Sequence, residues 1–367
     1  MNNPRLALAV RNLGVGGAQR AMVTLANTLV RQGRNVDMLV CNPNGPYRDA
    51  LEPAVGVVTI PDRMPGFFRG LSSYLAQGPV TVLSAQTLMS RRFGLYNHVY
   101  RGRLHWVIRE PNVLSPKSAG KTGRIWAPLM PWLYRGADAY IALSQAARSD
   151  LARLISKPET ALPVIPNAVD MDAVAASAAA PVPHPWLAPE RTVPVLLGVG
   201  RLTRQKNFET LIAATALLRQ TRRVRLVILG EGADRAALVA QAAADGLGED
   251  LLMPGFVDNP FAWMARADVF ALSSRWEGSP NALLEAMAAG APVVAADCPS
   301  GPREILVRPE LGQLVPVEDS PSLAEALTAA LDNPGDQDTR LAHIRDNHGL
   351  EAWAATYLAV LDGVSPG

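Results

Sequence analysis

The chain alternates between short, almost wholly apolar runs and longer stretches in which apolar residues recur every three or four positions. The runs fall at 6–10, 36–41, 56–60, 80–85, 105–109 and 139–144. Between the first two, Ala18, Ala21, Met22, Leu25, Ala26, Leu29 and Val30 mark one face of a helix, and Gly33 marks its stop. This alternation predicts βαβ units and a parallel sheet. At 172–190 the rhythm breaks into a stretch rich in alanine and proline, which reads as a linker. It resumes with runs at 193–200, 224–230, 268–274 and 292–297. The pattern predicts an α/β chain of two doubly wound, Rossmann-like domains at 1–172 and 191–346, joined by a linker at 173–190. A last amphipathic stretch at 350–363, with Trp353, Leu358 and Leu361 as core candidates, follows the second domain. Parallel sheets bind ligands beyond the C-terminal ends of their strands, so a shared ligand is expected in the cleft between two such domains.

Composition narrows the class. A chain of 367 residues exceeds one ordinary core, and 49% apolar with 19% charged residues is globular. A net charge of +2 argues against a dedicated nucleic-acid binder. Cys41 and Cys298 form neither a disulfide framework nor a metal-ligand cluster and fit a reducing compartment. The apolar run near the N-terminus is too short for a secretion signal, and no run of 18 uncharged apolar residues occurs, so a cytoplasmic location is expected. The five histidines show no ligand spacing.

The chemistry concentrates after the run at 268–274. The stretch "RWEGSPNALLEAMAAG" reads as a turn and then a helix, with Ser279 as its cap and Pro280 as its first residue. A helix start after a parallel strand offers free N–H groups and a positive dipole end, which suits phosphate, and Gly278 permits close approach of the backbone. Glu277 lies in the turn, and Glu285 about 9 Å along the helix from Ser279 at 1.5 Å per residue. The two carboxylates would flank a diphosphate, placed to accept hydrogen bonds from a sugar and a ribose. Taken singly, Glu285 is a solvated helix residue and Glu277 an acid beside a helix start. In "GVGRLTRQKN", Arg201 and Lys206 follow another strand, where a guanidinium fork and a compact ammonium can neutralise a diphosphate. Two surface cations would look the same. The loops with Gly230 and with Phe256 and Val257 end two further strands and could hold a nucleobase through backbone groups.

"GRLTRQKN", "LGEGAD", "PGFVDN" and "EGSPNALLEAMAAGAPVVAAD" together resemble the donor-binding signature of the retaining glycosyltransferases of family 4. In the first domain "GGAQR", "ADAYIALSQAARSDL" and "VIPNAVD" add to the resemblance, which spans nearly the whole chain. It implies the two-domain GT-B fold, with the terminal segment 347–367 crossing back onto the first domain. It implies a nucleotide-sugar donor and retention of anomeric configuration, with the donor a substrate, no cofactor and no metal; no Asp-x-Asp motif occurs. By this resemblance Arg201 and Lys206 hold the diphosphate, Glu285 bonds the ribose and Glu277 faces the sugar. Backbone groups around Gly278, Ser279, Asn281 and Ala282 approach sugar and phosphate, and Gly16 and Gly17 lie near the donor phosphate and the acceptor. Many relatives carry a histidine where "VIREPNV" has Arg109. Arginine cannot act as a base but could bind a phosphate; Arg109 joins Glu277, Arg201 and Lys206 as a candidate catalytic residue. The implied reaction moves a sugar, from a UDP sugar ahead of a GDP sugar, to a glycan or lipid-linked acceptor in bacterial cell-surface polysaccharide, lipopolysaccharide or glycolipid synthesis.

Between 91 and 135 nine Arg or Lys stand against one acid, Glu110, interleaved with Trp106, Trp126, Trp132 and Tyr134. This suits an anionic membrane surface, here the inner face of the cytoplasmic membrane, as well as it suits a helix with a solvated basic rim. Three other readings compete. A nicotinamide-dependent dehydrogenase is opposed by Gln19, which stands where the dinucleotide fingerprint needs glycine, and by Cys41 and Asn42, which end the next run without an acid. A sugar-nucleotide epimerase of the same fold would need no acceptor-facing domain. A non-catalytic module would bind the donor without transferring it.

Overall fold

A computed structural model describes residues 4–14, 16–100, 104–110, 127–182 and 184–364. The chain forms two compact units: residues 1–168 together with 350–367, and residues 169–349.

The first unit is built on six strands, β1 (Arg5–Asn12), β2 (Val36–Asn42), β3 (Gly56–Thr59), β4 (Val80–Ser84), β5 (His105–Glu110) and β6 (Ala139–Ala142). They lie in the order β3-β2-β1-β4-β5-β6, and every pairing is parallel. The second unit repeats the plan with β7 (Val195–Val199), β8 (Arg225–Leu229), β9 (Leu251–Gly255), β10 (Val269–Leu272), β11 (Val293–Ala296) and β12 (Gln313–Val315), ordered β12-β11-β10-β7-β8-β9. In each sheet the order reverses beside the first strand, between β1 and β4 and between β7 and β10. Such a switch point opens a crevice at the strands' C-terminal ends, where doubly wound proteins bind ligands.

Side-chain alternation along the strands fills both faces of each sheet. Leu6, Leu8 and Val10 join the core under the helices Gly17–Arg31 and Leu350–Gly363, while Ala7 and Ala9 face the core under Gly66–Leu75 and Thr87–Val99. The helix expected from the 18–30 periodicity ends at Arg31, and Gly33, at φ 79°, donates its N–H to the Val30 carbonyl. The terminal helix Leu350–Gly363 buries Trp353, Ala354, Tyr357 and Leu361 in the first unit, and Arg34 clamps Asp362 with two bonds of 2.9 and 2.6 Å.

Two expectations are corrected. The stretch read as a linker at 173–190 falls within the second unit. Asp170 caps a helix, Met171–Ala178, and Val174 and Leu187 are buried in that unit's core. Low β-branched content and proline had hidden a helix of alanines, whose packing rests on few apolar anchors. The second correction concerns the helix after β10. It runs Asn281–Ala288, with Pro280 rather than Ser279 at its cap position and no side-chain cap.

Candidate functional site

In the second unit the loops after β9, β8, β7 and β10 stand side by side at the C-terminal edge, a row about 14 Å across at one strand spacing per step. They are stitched through their backbones. Gly230 N–H donates to the Gly255 carbonyl at 2.8 Å, Leu202 N–H to Glu231 at 2.9 Å, and Arg275 N–H to Gln205 at 2.8 Å. Gly230 has φ 134°, and a Cβ there would collide with the Gly200 carbonyl, so only glycine lets the loops after β7 and β8 touch.

At the β7/β10 switch point the Lys206 ammonium meets the Glu277 carboxylate, Nζ to Oε1, at 2.6 Å. Both side chains are largely buried. The Lys206 stem lies over Gly200, where a Cβ would come 3.0 Å from its Cε. The Ser274 hydroxyl donates to the same Glu277 oxygen at 2.5 Å, and Ser300 Oγ donates to the Glu277 carbonyl at 2.6 Å. The Glu277 N–H donates to Pro299. Asn207, wholly buried with φ 52°, turns the chain from this loop into the helix Phe208–Leu218. Sequence reasoning had given Lys206 to the diphosphate alone. The fold also joins it to Glu277, so the pair is internally neutral and held rigid. Arg201, by contrast, is exposed at the mouth of the same loop.

Glu285 is buried on the helix Asn281–Ala288, flanked by Leu284 and Ala286, and is not a solvated helix residue. Because the helix starts at Asn281, Glu285 stands about 6 Å along it rather than 9 Å. Gly278 and Ser279 form the turn between Glu277 and that helix start, and Ala282 follows in its first turn, packed on the core. Val257 packs on the same core, while Phe256 beside it is 58% exposed at the end of β9. Cys298, next to Pro299, is buried; burial, reinforced by the Glu277 charge, pushes its thiol up to about 12. Sequence reasoning missed Ser274, Ser300 and Asn207. The signal available was the serine pair ending the β10 run, which an unbroken apolar strand does not need.

In the first unit Gly16 caps the helix Gly17–Arg31, which carries no side-chain cap and no acid in its first turn. Asn12, ending β1, accepts from Gly14 N–H and Gln19 Nε2 and fixes this glycine loop. Arg109, the penultimate residue of β5, is wholly buried. Its Nε donates to the Tyr357 hydroxyl at 2.8 Å and its Nη2 to Asn167 at 2.5 Å, while Nη1 has no partner among the described residues. Its neighbour Glu110, on the opposite face, accepts from Thr87 and Tyr134, and burial beside that carboxylate raises the Tyr134 hydroxyl well above its ordinary value. Among the described residues no three or more His, Cys, Asp or Glu side chains gather as a metal site. No helix among them is long and apolar enough to cross a membrane. Of the basic segment at 91–135, Arg101, Arg103, Lys117, Lys121, Arg124 and Trp126 lie outside the described residues.

Residues 193–333 match the family model described as glycosyl transferases group 1, and residues 15–173 match glycosyltransferase family 4. The chain is 33% identical over 205 residues to the N-acetylgalactosamine-N,N'-diacetylbacillosaminyl-diphospho-undecaprenol 4-alpha-N-acetylgalactosaminyltransferase of Campylobacter jejuni, 56% of this chain. That match spans about half, 54%, of the Campylobacter protein. It is 28% identical to the lipopolysaccharide core biosynthesis glycosyltransferase LpsE of Rhizobium meliloti, over 85% of this chain and 84% of LpsE. Among solved structures, Alr3699/HepE of Anabaena in complex with UDP-glucose superposes with a TM-score of 0.84 at 18% identity, covering 98% of this chain and 99% of that one. At that identity the likeness shows the fold, which is GT-B.

Proposed function

The chain belongs to the group 1, family 4 glycosyltransferases, and from that premise we propose that it transfers a sugar from a nucleoside diphosphate sugar, a UDP sugar ahead of a GDP sugar, with retention at the anomeric carbon. The acceptor is a glycan or a lipid-linked glycan of bacterial cell-surface polysaccharide, lipopolysaccharide or glycolipid synthesis. The observation that carries the reading is the Lys206–Glu277 pair, set at the β7/β10 switch point between a glycine-bearing loop row and a helix start. The names of the Campylobacter and Rhizobium relatives and the UDP-glucose bound to the Anabaena protein support the donor and acceptor classes.

The row of loops suits an extended donor. Backbone groups beside Phe256, Val257 and Gly230 take the base, and Glu285 takes the ribose. Arg201, Lys206 and the N–H groups at Gly278, Ser279, Asn281 and Ala282 take the diphosphate and the start of the sugar. Glu277, its Oε1 occupied by Lys206 and Ser274, turns its remaining oxygen to the sugar hydroxyls. The glycine loop of Gly16 and Gly17 offers uncapped N–H groups to phosphate and acceptor. As the bond from the anomeric carbon to the phosphate oxygen breaks, the acceptor hydroxyl oxygen bonds to that carbon from the same face. Its proton passes to an oxygen of the departing diphosphate. Arg201, Lys206 and the helix end stabilise the charge growing on that leaving group, without a metal. Arg109 serves as a fixed cation; it moves no proton.

Contact with an anionic membrane is part of the proposal. Trp132 (48% exposed), stacked on His98 at 3.9 Å, and Val99 (57% exposed) present apolar surface beside Arg135. The deciding test is thermal shift against UDP, GDP and ADP sugars, with NADH as comparison. Stabilisation by one sugar nucleotide is expected; stabilisation by NADH alone would overturn the assignment. Glu285→Ala is expected to weaken UDP binding, and Glu277→Ala mainly to lower transfer. Product NMR showing an inverted anomeric centre, or activity abolished by EDTA, would remove the retaining or the metal-free part.

A further inference from the structure

The first unit has its own switch point, between β1 and β4, and a charged cluster stands on it. The Arg11 N–H, near the end of β1, is held at 2.8 Å by Oε1 of Gln86, which follows β4. Its guanidinium donates Nη2 to Asp62 Oδ2 at 3.1 Å. From the other side Arg92, on the helix Thr87–Val99, donates Nη1 to Asp62 Oδ1 at 2.6 Å and reaches Cys41 Sγ at 3.4 Å. The ring of Phe67 lies 5.4 Å from the Arg92 guanidinium carbon. Two guanidiniums thus share one carboxylate, and Arg63 follows it directly in the chain.

An ordinary exposed salt bridge contributes little and needs only one partner of each sign. Here the cluster keeps a net positive charge, and among the described residues most of its ten guanidinium N–H groups are spare. Arg92 is mostly buried and fixed by Phe67 and Cys41, while Arg11 and Asp62 stay open, with side chains 52% and 37% exposed. A preformed guanidinium pair of this kind matches the oxygens of a phosphate better than it matches water. By strand alternation Arg11 points to the sheet face covered by the helices Gly66–Leu75 and Thr87–Val99. Exposed Met64, Leu95 and Val99 lie on or beside those helices. The cluster therefore joins a place for an anion to an apolar surface.

We propose that Arg11 and Arg92, tensioned by Asp62, form a phosphate subsite that holds the diphosphate of a lipid-linked acceptor. The proposal rests on the glycosyltransferase reading and names its acceptor as anionic. Asp62 keeps the two guanidiniums apart and oriented when the subsite is empty, and it yields part of their donor capacity to the incoming phosphate.

The test titrates the full-length chain with geranyl diphosphate by calorimetry, with UDP titrated separately and phosphatidylglycerol vesicles sedimented in parallel. Arg11→Gln and Arg92→Gln are each expected to weaken geranyl diphosphate binding about tenfold, as loss of hydrogen bonds to a charged group does, and to leave UDP binding unchanged. Asp62→Asn keeps an acceptor oxygen between the two guanidiniums and removes the competing negative charge, so it is expected to strengthen binding; a merely structural cluster gives the opposite sign. Arg11 is open enough to be replaced should Arg92→Gln fail to fold. Geranyl diphosphate binding that is absent, or unchanged in both arginine variants, overturns the proposal. So does weaker binding in Asp62→Asn. Loss of vesicle sedimentation without loss of geranyl diphosphate binding assigns the arginines to lipid headgroups and overturns it as well. Failure of the wild-type chain to bind UDP, GDP and ADP alike would instead overturn the glycosyltransferase reading, and the diphosphate titration would still be read on its own.

Discussion

At the residue scale the decisive contact is Lys206 with Glu277. The sequence supplied the two residue types and their strand-end positions, but they lie 71 residues apart, and only the adjacency of β7 and β10 brings them to 2.6 Å. Removing one member leaves the other charge buried and unpaired, so Lys206→Met is expected to destabilise the second unit by about 3 kcal/mol. The double variant Lys206→Met/Glu277→Gln should lose less than the sum of the single changes. Urea denaturation in a double-mutant cycle measures this, and simple additivity would mean the pair is not coupled. Asp62 gives a pH prediction. Hydrogen bonds from Arg92 and then Arg11 hold its carboxyl at about 2, below the ordinary 3.8. A depressed folded-state value stabilises the fold above the ordinary one, and that contribution is lost as pH falls from about 4 towards 2. The urea midpoint of the wild type should therefore fall more steeply across that window than that of Asp62→Asn; parallel curves would show that the cluster does not hold the carboxyl down.

At the scale of elements, the strands were legible because fully buried parallel strands are continuous apolar runs, as in β4, where every residue is buried. The terminal helix was legible from its periodicity. The short β12 and the cap of the helix Asn281–Ala288 were not. β12 is only three residues long, and Ser279 in front of a proline carries a cap signature that this turn does not use. Glycines separate two kinds of loop. Gly230→Ala should disrupt the paired loops after β7 and β8, because its Cβ would meet the Gly200 backbone, which cannot move alone. Gly246→Ala, at φ 74° with open space around its Cβ, should cost only the left-handed backbone term, about 1 kcal/mol. Gly200→Ala should press on the Lys206 stem and weaken UDP binding with little loss of stability. Melting temperatures and UDP titrations of the three variants check this order; equal effects of Gly230→Ala and Gly246→Ala would contradict the contact.

For the whole molecule, the last helix completes the first unit although it follows the second in sequence. Tyr357 carries its hydroxyl to the buried Arg109 at 2.8 Å. Tyr357→Phe leaves a charged donor without that partner and should destabilise the first unit by about 2 kcal/mol. Ending the chain at Gly349 removes Trp353, Tyr357 and Leu361 from the core and should abolish the first unit's cooperative unfolding transition while the second unit keeps its own. Chemical denaturation followed by hydrogen exchange in each unit distinguishes the two; equal loss of protection in both would show that the second unit depends on that helix.

The sequence by itself determined the class of this protein: two parallel doubly wound sheets, the strand-end loops that carry its chemistry, and the family those loops resemble. These are local properties, since apolar periodicity and turn chemistry act within a few residues of themselves. The tertiary structure decided which charges meet. It joined Lys206 to Glu277 and gave Asp62 two arginines. It also buried Arg109 under a tyrosine 248 residues away and drew the alanine-rich stretch at 173–190 into the second core. Those outcomes follow from strand order. Neighbours in a sheet are chosen by packing across the whole domain, so a charge's partner is fixed only once both faces of the sheet are filled.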